Sequence, residues 1–138
     1  MRITAAAMAD INAHGEEGYP YEVCGFMIGS TAERRVWRTV RARNTITDRA
    51  HDRYEIDPRD HIRVQRECDA DGLDIVGYYH THPDHPARPS VFDTDRFWEG
   101  YMYVIVAVHS GRVVDAGAFW PDRTGGPYTA EQIEVEPA

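Results

Sequence analysis

The chain has 138 residues, of which 42% are hydrophobic and 28% are charged, and its formal net charge is -8. This length suits one domain with a substantial core, so we expect residues 1–138 to fold as a single domain. The negative charge argues against a nucleic-acid partner, because binding to a phosphate backbone depends on counterion release by lysine and arginine.

Cysteine usage and the first residues both predict a cytoplasmic protein. Cys24 and Cys68 are too few for a four-thiolate zinc site and do not define a disulfide framework. Asp10 and Asn12 interrupt any apolar core of an export signal, and no window approaches the length of a membrane span. We therefore expect neither export nor membrane insertion.

The first third of the chain predicts a helix and then a β-hairpin. Apolar residues recur at helical spacing from Thr4 to about His14, and the stretch HGEEGYP supplies glycine and proline stops. Residues 23–30 (VCGFMIGS) form an apolar strand, and residues 33–42 alternate arginines with apolar side chains, as in a strand with one wet face. These arginines leave open a local basic patch for an acidic partner.

The remaining elements alternate between helix and strand. We expect a short strand at Tyr54 to Ile56, then a helix capped by Asp57 that runs from Pro58 to about Ala70 and ends near Gly72. Strands follow at 74–82 (DIVGYYHTH), 101–110 and 113–121, with a weak last strand in YTAEQIEVE. This order predicts an α/β fold with a single mixed β-sheet flanked by helices.

A group of polar side chains follows the 74–82 strand. The two-residue period of a strand places His80 and His82 on one face, while Thr81 points to the other. Ser90 is placed to cap a helix, and Asp93 falls in its first turn.

Two histidines and one carboxylate are a standard ligand set for catalytic zinc, which lowers the pKa of a bound water to about 7. Each signal alone has a simpler explanation, because strand-end histidines are often surface residues and SxxD is a common capping box. Together, HTHP followed by Ser90 and Asp93 predicts a metal site.

This pattern resembles the JAMM metalloproteases, also called MPN-plus domains, in which an upstream glutamate precedes H(S/T)HP, a serine and an aspartate. Here Glu22 precedes HTHP at 80–83, seven residues separate His82 from Ser90, and two separate Ser90 from Asp93. The stretch YPYEVCGFMIG (19–29) is similar to the bacterial and archaeal single-domain branch. The likeness covers nearly the whole chain.

The resemblance implies one Zn²⁺ per chain, held by His80, His82 and Asp93. It also implies that Glu22 is the general acid/base acting through the zinc water, and that Ser90 steadies the tetrahedral intermediate. The residues alone do not select Glu22 among the many acidic side chains. The implied fold is similar to that of the cytidine deaminases, but their signature pairs an HxE with a PCxxC, and no PCxxC occurs here.

The implied activity is that of a metallopeptidase or deubiquitinase-like isopeptidase. It would hydrolyse the bond after the C-terminal Gly-Gly of a ubiquitin-like or sulfur-carrier β-grasp protein. Only eight residues separate Asp93 from Met102, so the insertion of lysine-63-specific relatives is missing and strong linkage selectivity is not expected. A protein-interaction scaffold with a structural zinc and no turnover stays open as an alternative, and so does a homodimer.

Other polar residues are weaker candidates. Asp84 and His85 fit an exposed loop, and Cys24 fits a small buried hydrophobe. His51 and His61 lack partner spacing, and His109 falls at a strand end. Asp95 and Glu99 should rotate away from Asp93 or lie further along its helix.

Overall fold

The computed structural model describes residues 1–50 and 52–138, and in them a mixed sheet carries helices on both faces. Its elements are β1 (Arg2–Thr4), α1 (Ala5–Gly18), β2 (Cys24–Ser30), β3 (Arg35–Ala42), α2 (Pro58–Asp71), β4 (Asp74–Pro83), α3 (Val91–Asp95), β5 (Met102–His109), β6 (Arg112–Pro121), β7 (Tyr128–Glu131) and β8 (Glu134–Glu136). The strand order is β7-β6-β5-β4-β2-β3-β1-β8. The β4–β5, β1–β3 and β1–β8 pairs are parallel and the other pairs are antiparallel, which confirms the expected mixed α/β architecture.

Helix α1 is longer than its sequence pattern indicates. Thr4 caps it by accepting a hydrogen bond from the Ala7 amide at 3.1 Å, but the helix passes His14 and ends at Gly18. Gly15 does not stop it, because this glycine is a packing residue: a Cβ there would lie 3.0 Å from the Thr81 side chain and 3.2 Å from that of Val108. The missing side chain lets α1 approach the sheet closely.

Helix α2 follows its prediction closely. Asp57 caps it by accepting from the Arg59 amide at 2.9 Å, and Pro58 occupies the first helical position. Gly72 ends it in the left-handed conformation at φ 68°, which favours glycine because no Cβ is present.

The sheet edges differ most from expectation. The expected strand at 54–56 is reduced to one bridge between Asn44 and Ile56. The C-terminal segment forms two strands at opposite edges, β7 beside β6 and β8 beside β1, where a single strand was expected. Strands β1 and β8 have three residues each, too few to show a period-two pattern in the sequence.

The core lies on both faces of the sheet. Along β5, Val104, Val106 and Val108 pack with α1, while Tyr103, Ile105 and Ala107 pack on the face that carries α2. Strand β4 lies near the centre, so it is buried on both faces. No helix in the described part of the chain is long and apolar enough to cross a lipid bilayer.

Candidate active site

The end of β4 brings two imidazoles to the sheet face that carries α2. His80 is fully buried and His82 nearly so, and Thr81 between them points to the opposite face, towards α1. The register pairs His80 with Cys24 of β2 and with Ile105 of β5. Neighbouring strands on both sides therefore fix the backbone that carries the two histidines.

The three side chains that the sequence proposes as ligands lie close together. The Nε2 atoms of His80 and His82 lie 3.2 Å apart. Asp93 places Oδ1 3.2 Å from the first and Oδ2 2.9 Å from the second. All three side chains are buried, so the cluster is an interior feature of the fold.

This arrangement fits a tetrahedral metal ion. Ligand atoms about 2.0–2.1 Å from zinc stand about 3.3 Å from one another in a tetrahedral site. The two Nε2 atoms stand 3.2 Å apart, close to that value, and each has a different oxygen of Asp93 at 2.9 to 3.2 Å. Two neutral imidazole nitrogens and one carboxylate oxygen are also the donor set that zinc accepts in catalytic sites.

Hydrogen bonds orient each of these ligands except His80. His82 Nδ1 donates to the Pro86 carbonyl at 2.7 Å, so Nε2 is the ring nitrogen that faces His80 and Asp93. Asp93 Oδ2 accepts from the Ser90 amide at 3.0 Å, while Ser90 Oγ accepts from the Asp93 amide at 3.1 Å, completing a capping box. His80 is held by stacking, with the Tyr54 ring centroid 4.3 Å from its own.

The electrostatics of the cluster favour the ligand forms of His80 and Asp93. Burial lowers the pKa of His80, which keeps its imidazole neutral. Burial alone would raise the pKa of Asp93, but His80, hydrogen bonds from both histidines and the Ser90 amide hold it well below its usual range. For His82, the hydrogen bonds to Asp93 and Pro86 outweigh burial and raise the pKa.

Glu22 lies beside the cluster but not in direct contact with it. Its carboxylate forms a group with the two histidines in which the ligand atoms lie within 4.8 Å of one another, yet it makes no ion pair with either. The side chain is 5% exposed, and Oε1 has no hydrogen-bond partner in the described residues. This separation suits contact through one intervening water rather than direct ligation.

The surroundings of Glu22 favour its protonated form. Burial is the largest cause, and the charges of Asp93 and Asp52 add to it, so the pKa of Glu22 is raised to about 8 despite the opposing effect of His82. A carboxyl group with a pKa near neutrality can both accept and donate a proton.

A cavity of about 620 Å³ connects these groups to solvent. Glu22, His82 and Ser90 all line it. Ser90 is exposed, and its oxygen already accepts from the Asp93 amide, so its hydroxyl proton is free to point into the cavity. The site therefore combines three candidate metal-ligand groups, a buried carboxyl and one hydroxyl donor around an open cleft.

The weaker candidates lie away from the cluster or have structural partners. Cys24 is buried, as expected, and Asp84 accepts from the Tyr19 hydroxyl and the Ser110 amide. His61 has a partner that its spacing did not reveal, the Tyr78 hydroxyl at 2.8 Å.

The other weak candidates are described by their position. Helix α3 ends at Asp95, before Glu99, and His109 ends β5. His85 lines the cavity, and His51 lies outside the described residues.

Two residues of the site carried no clear signal in the sequence. Thr81 was expected only to point away from the histidines, yet it bonds to the residue after Glu22. Tyr54 belongs to a segment that was expected to form a strand, and it instead lies against His80. Both contacts join segments that are distant in the chain, so neither follows from local patterning.

Comparison with known proteins identifies the family of this chain. Residues 4–121 match the model of a family described as prokaryotic homologs of the JAB domain. The chain belongs to this family. Among similar proteins, a desampylase of Haloferax volcanii is 34% identical over 113 residues, covering 76% of this chain and 78% of that protein.

Solved structures support the JAB-domain fold. The solution structure of a Salinibacter ruber protein is 35% identical, with a TM-score of 0.73 over 99% of this chain and 92% of that one. A JAB1/MPN domain protein from Archaeoglobus fulgidus is 16% identical, with a TM-score of 0.60 over 99% of this chain and 97% of its own. This second likeness concerns the fold alone, and it agrees with the expected JAMM/MPN architecture.

Proposed function

We propose that this protein is a zinc-dependent peptidase of the JAMM type, with residues 1–138 as one catalytic domain. Its substrate is the peptide or isopeptide bond after the C-terminal Gly-Gly of a ubiquitin-like or sulfur-carrier β-grasp protein. The observation that carries the proposal is the convergence of His80, His82 and Asp93 beside the buried carboxyl of Glu22. The 34% identity to a desampylase supports the class of substrate.

The three ligand groups would hold the metal, and hydrogen bonds orient two of them for that role. His82 presents Nε2 because Nδ1 is committed to Pro86, and Asp93 is kept ionised by its hydrogen bonds. Zinc, when bound, lowers the pKa of a water ligand and polarises a substrate carbonyl.

Glu22 and Ser90 supply the proton transfer and the charge stabilisation. Glu22 takes a proton from the attacking water, whose oxygen bonds to the glycine carbonyl carbon, and delivers it to the leaving nitrogen as the C–N bond breaks. Ser90 donates its hydroxyl to the oxyanion that develops on the carbonyl oxygen. A Gly-Gly tail suits such a cleft because an extended chain without side chains can enter a narrow space.

The test is mass spectrometry of the β-grasp proteins encoded by the same genome, each extended past Gly-Gly, after incubation with the zinc-loaded protein. We expect wild type to cleave after Gly-Gly and Glu22→Gln to bind zinc without cleaving. The matched control is Glu33→Gln, the same change at an exposed turn residue. If the wild type binds zinc but cleaves none of these proteins, the peptidase proposal is wrong, and the result favours the alternative of a protein-interaction scaffold with a structural zinc.

A further inference from the structure

The Asn44 side chain, which follows β3, uses its full hydrogen-bonding capacity on the main chain around the candidate active site. An asparagine amide has two N–H donors and one oxygen with two lone pairs. Nδ2 donates to the carbonyls of Glu22 and Arg53, at 3.4 Å and 3.0 Å. Oδ1 accepts from the amides of Ile46 and Glu55, both at 3.0 Å. One half-buried side chain therefore connects the segment of Glu22 with that of Arg53.

The bonds to Arg53 and Glu55 hold the two peptide groups on either side of Tyr54. Because the carbonyl before Tyr54 and the amide after it both bond to Asn44, the main chain that carries this ring is fixed. The ring stacks on His80, with the centroids 4.3 Å apart and the planes 25° from parallel. His80 depends on this contact, because its Nδ1 atom has no hydrogen-bond partner in the described residues. Asn44 is thus linked to a candidate metal ligand through Tyr54.

The bond to Glu22 reaches the candidate proton-transfer residue through its backbone. The Glu22 carbonyl accepts from Asn44 Nδ2, and the Glu22 amide donates to the Ala50 carbonyl. Its side chain is less restrained, because Oε1 has no hydrogen-bond partner among the residues that the structure describes. The direction of this carboxyl therefore depends on how the main chain behind it is held.

We propose that Asn44 is a positioning residue of the site, which acts on His80 through Tyr54 and on the carboxyl of Glu22 through its main chain. The inference rests on the proposed function, and Asn44 is not among the described residues that line the cavity. Removing a group that orients metal ligands from outside typically lowers metal affinity or activity by about 10–100-fold. The same loss of hydrogen bonds elsewhere in the fold would lower only the stability.

The first experiment compares Asn44→Ala with Tyr54→Leu, which keeps an apolar side chain but removes the ring. Zinc affinity is measured by competition with a chelator, and the visible absorption of bound Co²⁺ reports the arrangement of its ligands. We expect each variant to bind zinc about tenfold or more weakly and to change the Co²⁺ spectrum. Tyr54→Phe retains the ring and should restore both readouts relative to Tyr54→Leu. Asn44→Asp, which keeps the shape and the acceptor oxygen, replaces Asn44→Ala if the latter does not fold, and the same losses are expected of it.

A double-mutant cycle tests whether Asn44 acts on the metal site through Tyr54. If it does, Asn44→Ala should have little further effect on zinc affinity once Tyr54→Leu is present. Turnover should behave differently, because it also depends on Glu22. At saturating zinc, Asn44→Ala should lower kcat on a β-grasp protein extended past Gly-Gly by about tenfold or more in both backgrounds, with little change in KM.

The matched control is Thr4→Val, at the start of α1. The Thr4 hydroxyl also makes two hydrogen bonds to the main chain, accepting from the Ala7 amide and donating to the Trp37 carbonyl. This variant should lose stability but keep the zinc affinity, the Co²⁺ spectrum and the kcat of wild type.

The outcomes distinguish this inference from the proposed function. If wild type cleaves the extended protein and Asn44→Ala changes kcat and zinc affinity no more than Thr4→Val does, Asn44 is only structural and the peptidase proposal stands. Full additivity of the two effects on zinc affinity overturns the link through Tyr54. If zinc-loaded wild type cleaves no extended β-grasp protein, the proposed function fails, while the zinc and Co²⁺ measurements still decide whether Asn44 positions His80.

Discussion

Thr81 and Val23 are joined by two hydrogen bonds. The Val23 amide donates to Thr81 Oγ1 at 3.0 Å, and the Thr81 amide donates to the Val23 carbonyl at 3.1 Å. Thr81 lies between the two histidines, and Val23 directly follows Glu22. This pair therefore sets the position of the buried carboxyl relative to the imidazoles, through the backbone of β4.

Replacing Thr81 with valine tests that connection. Thr81→Val keeps the shape and strand propensity but removes the acceptor of the Val23 amide, at a cost of about 1 kcal/mol in the free energy of unfolding. We expect bound zinc to be unchanged and kcat to fall about tenfold to hundredfold, because small misplacements of a proton-transfer group are costly. Thr39→Val is the control, since the Thr39 hydroxyl makes no hydrogen bond in the described residues. A kcat equal to that of wild type would show that Val23 and Glu22 are positioned by other contacts.

Zinc binding should be visible as thermal stabilisation of the folded state. A ligand that binds only the native protein, at a free concentration about 1,000 times its Kd, adds about 4 kcal/mol to the free energy of unfolding. We expect zinc to raise the melting temperature of the chelator-treated wild type, and calorimetry should show no such rise for His82→Ala or Asp93→Ala. His109→Ala, at the exposed end of β5, should respond like wild type. An undiminished response of the two ligand variants would contradict the site assignment.

Ser90 has two proposed roles, which stability and kinetic measurements on one variant distinguish. Its oxygen caps α3, so Ser90→Ala should cost about 1 kcal/mol of stability. If its hydroxyl also stabilises the oxyanion, kcat should fall by about 10²–10³-fold. Ser30→Ala is a matched control, because Ser30 Oγ likewise accepts from one backbone amide, that of Glu33, away from the cavity. Denaturant unfolding and steady-state kinetics on both variants distinguish the effects, and a kcat loss no larger for Ser90→Ala than for Ser30→Ala would limit Ser90 to capping.

The ionised carboxylate of Asp57, which caps α2, should make the free energy of unfolding decrease in acid. Hydrogen bonds from the Arg59 side chain and amide lower the pKa of Asp57 to about 2, from an ordinary value of 3.8. Because the depressed pKa belongs to the folded state, the stabilisation is complete above about pH 4 and is lost as the pH falls towards 2.

Asp57→Asn tests this pH dependence, because asparagine also caps helices but carries no charge. We expect the variant to be less stable than wild type at neutral pH and its denaturant midpoint to change less between pH 4 and pH 2. The control is Asp10→Asn, an exposed residue of α1, which should keep the wild-type profile. Parallel curves for Asp57→Asn and wild type would contradict the assignment.

The sequence predicts best those features that depend on neighbouring residues. Helix α2, with Asp57 before it and Gly72 after it, follows from capping rules alone. The convergence of His80 and His82 follows from strand periodicity, and the capping box follows from the spacing of Ser90 and Asp93.

Features that depend on pairing between distant segments are harder to predict from the sequence. The chain has 23 aspartates and glutamates, and the selection of Glu22 among them came from the family resemblance. Its position beside the histidines results from the antiparallel register in which Cys24 pairs with His80. Gly15 likewise resembles a helix stop until the sheet that it packs against is known.

The three proposed ligands all lie within one continuous segment, residues 80–93, whereas the proposed proton-transfer group stands before a different strand. The proposed metal ligands and the proposed proton-transfer group are therefore encoded in separate parts of the gene. A single substitution at Glu22 would abolish turnover and leave the metal centre intact. Loss of a ligand in residues 80–93 would instead abolish metal binding and turnover together. One substitution at Glu22 would therefore convert an enzyme into a metal-stabilised adaptor without turnover, and the reverse substitution would restore the enzyme.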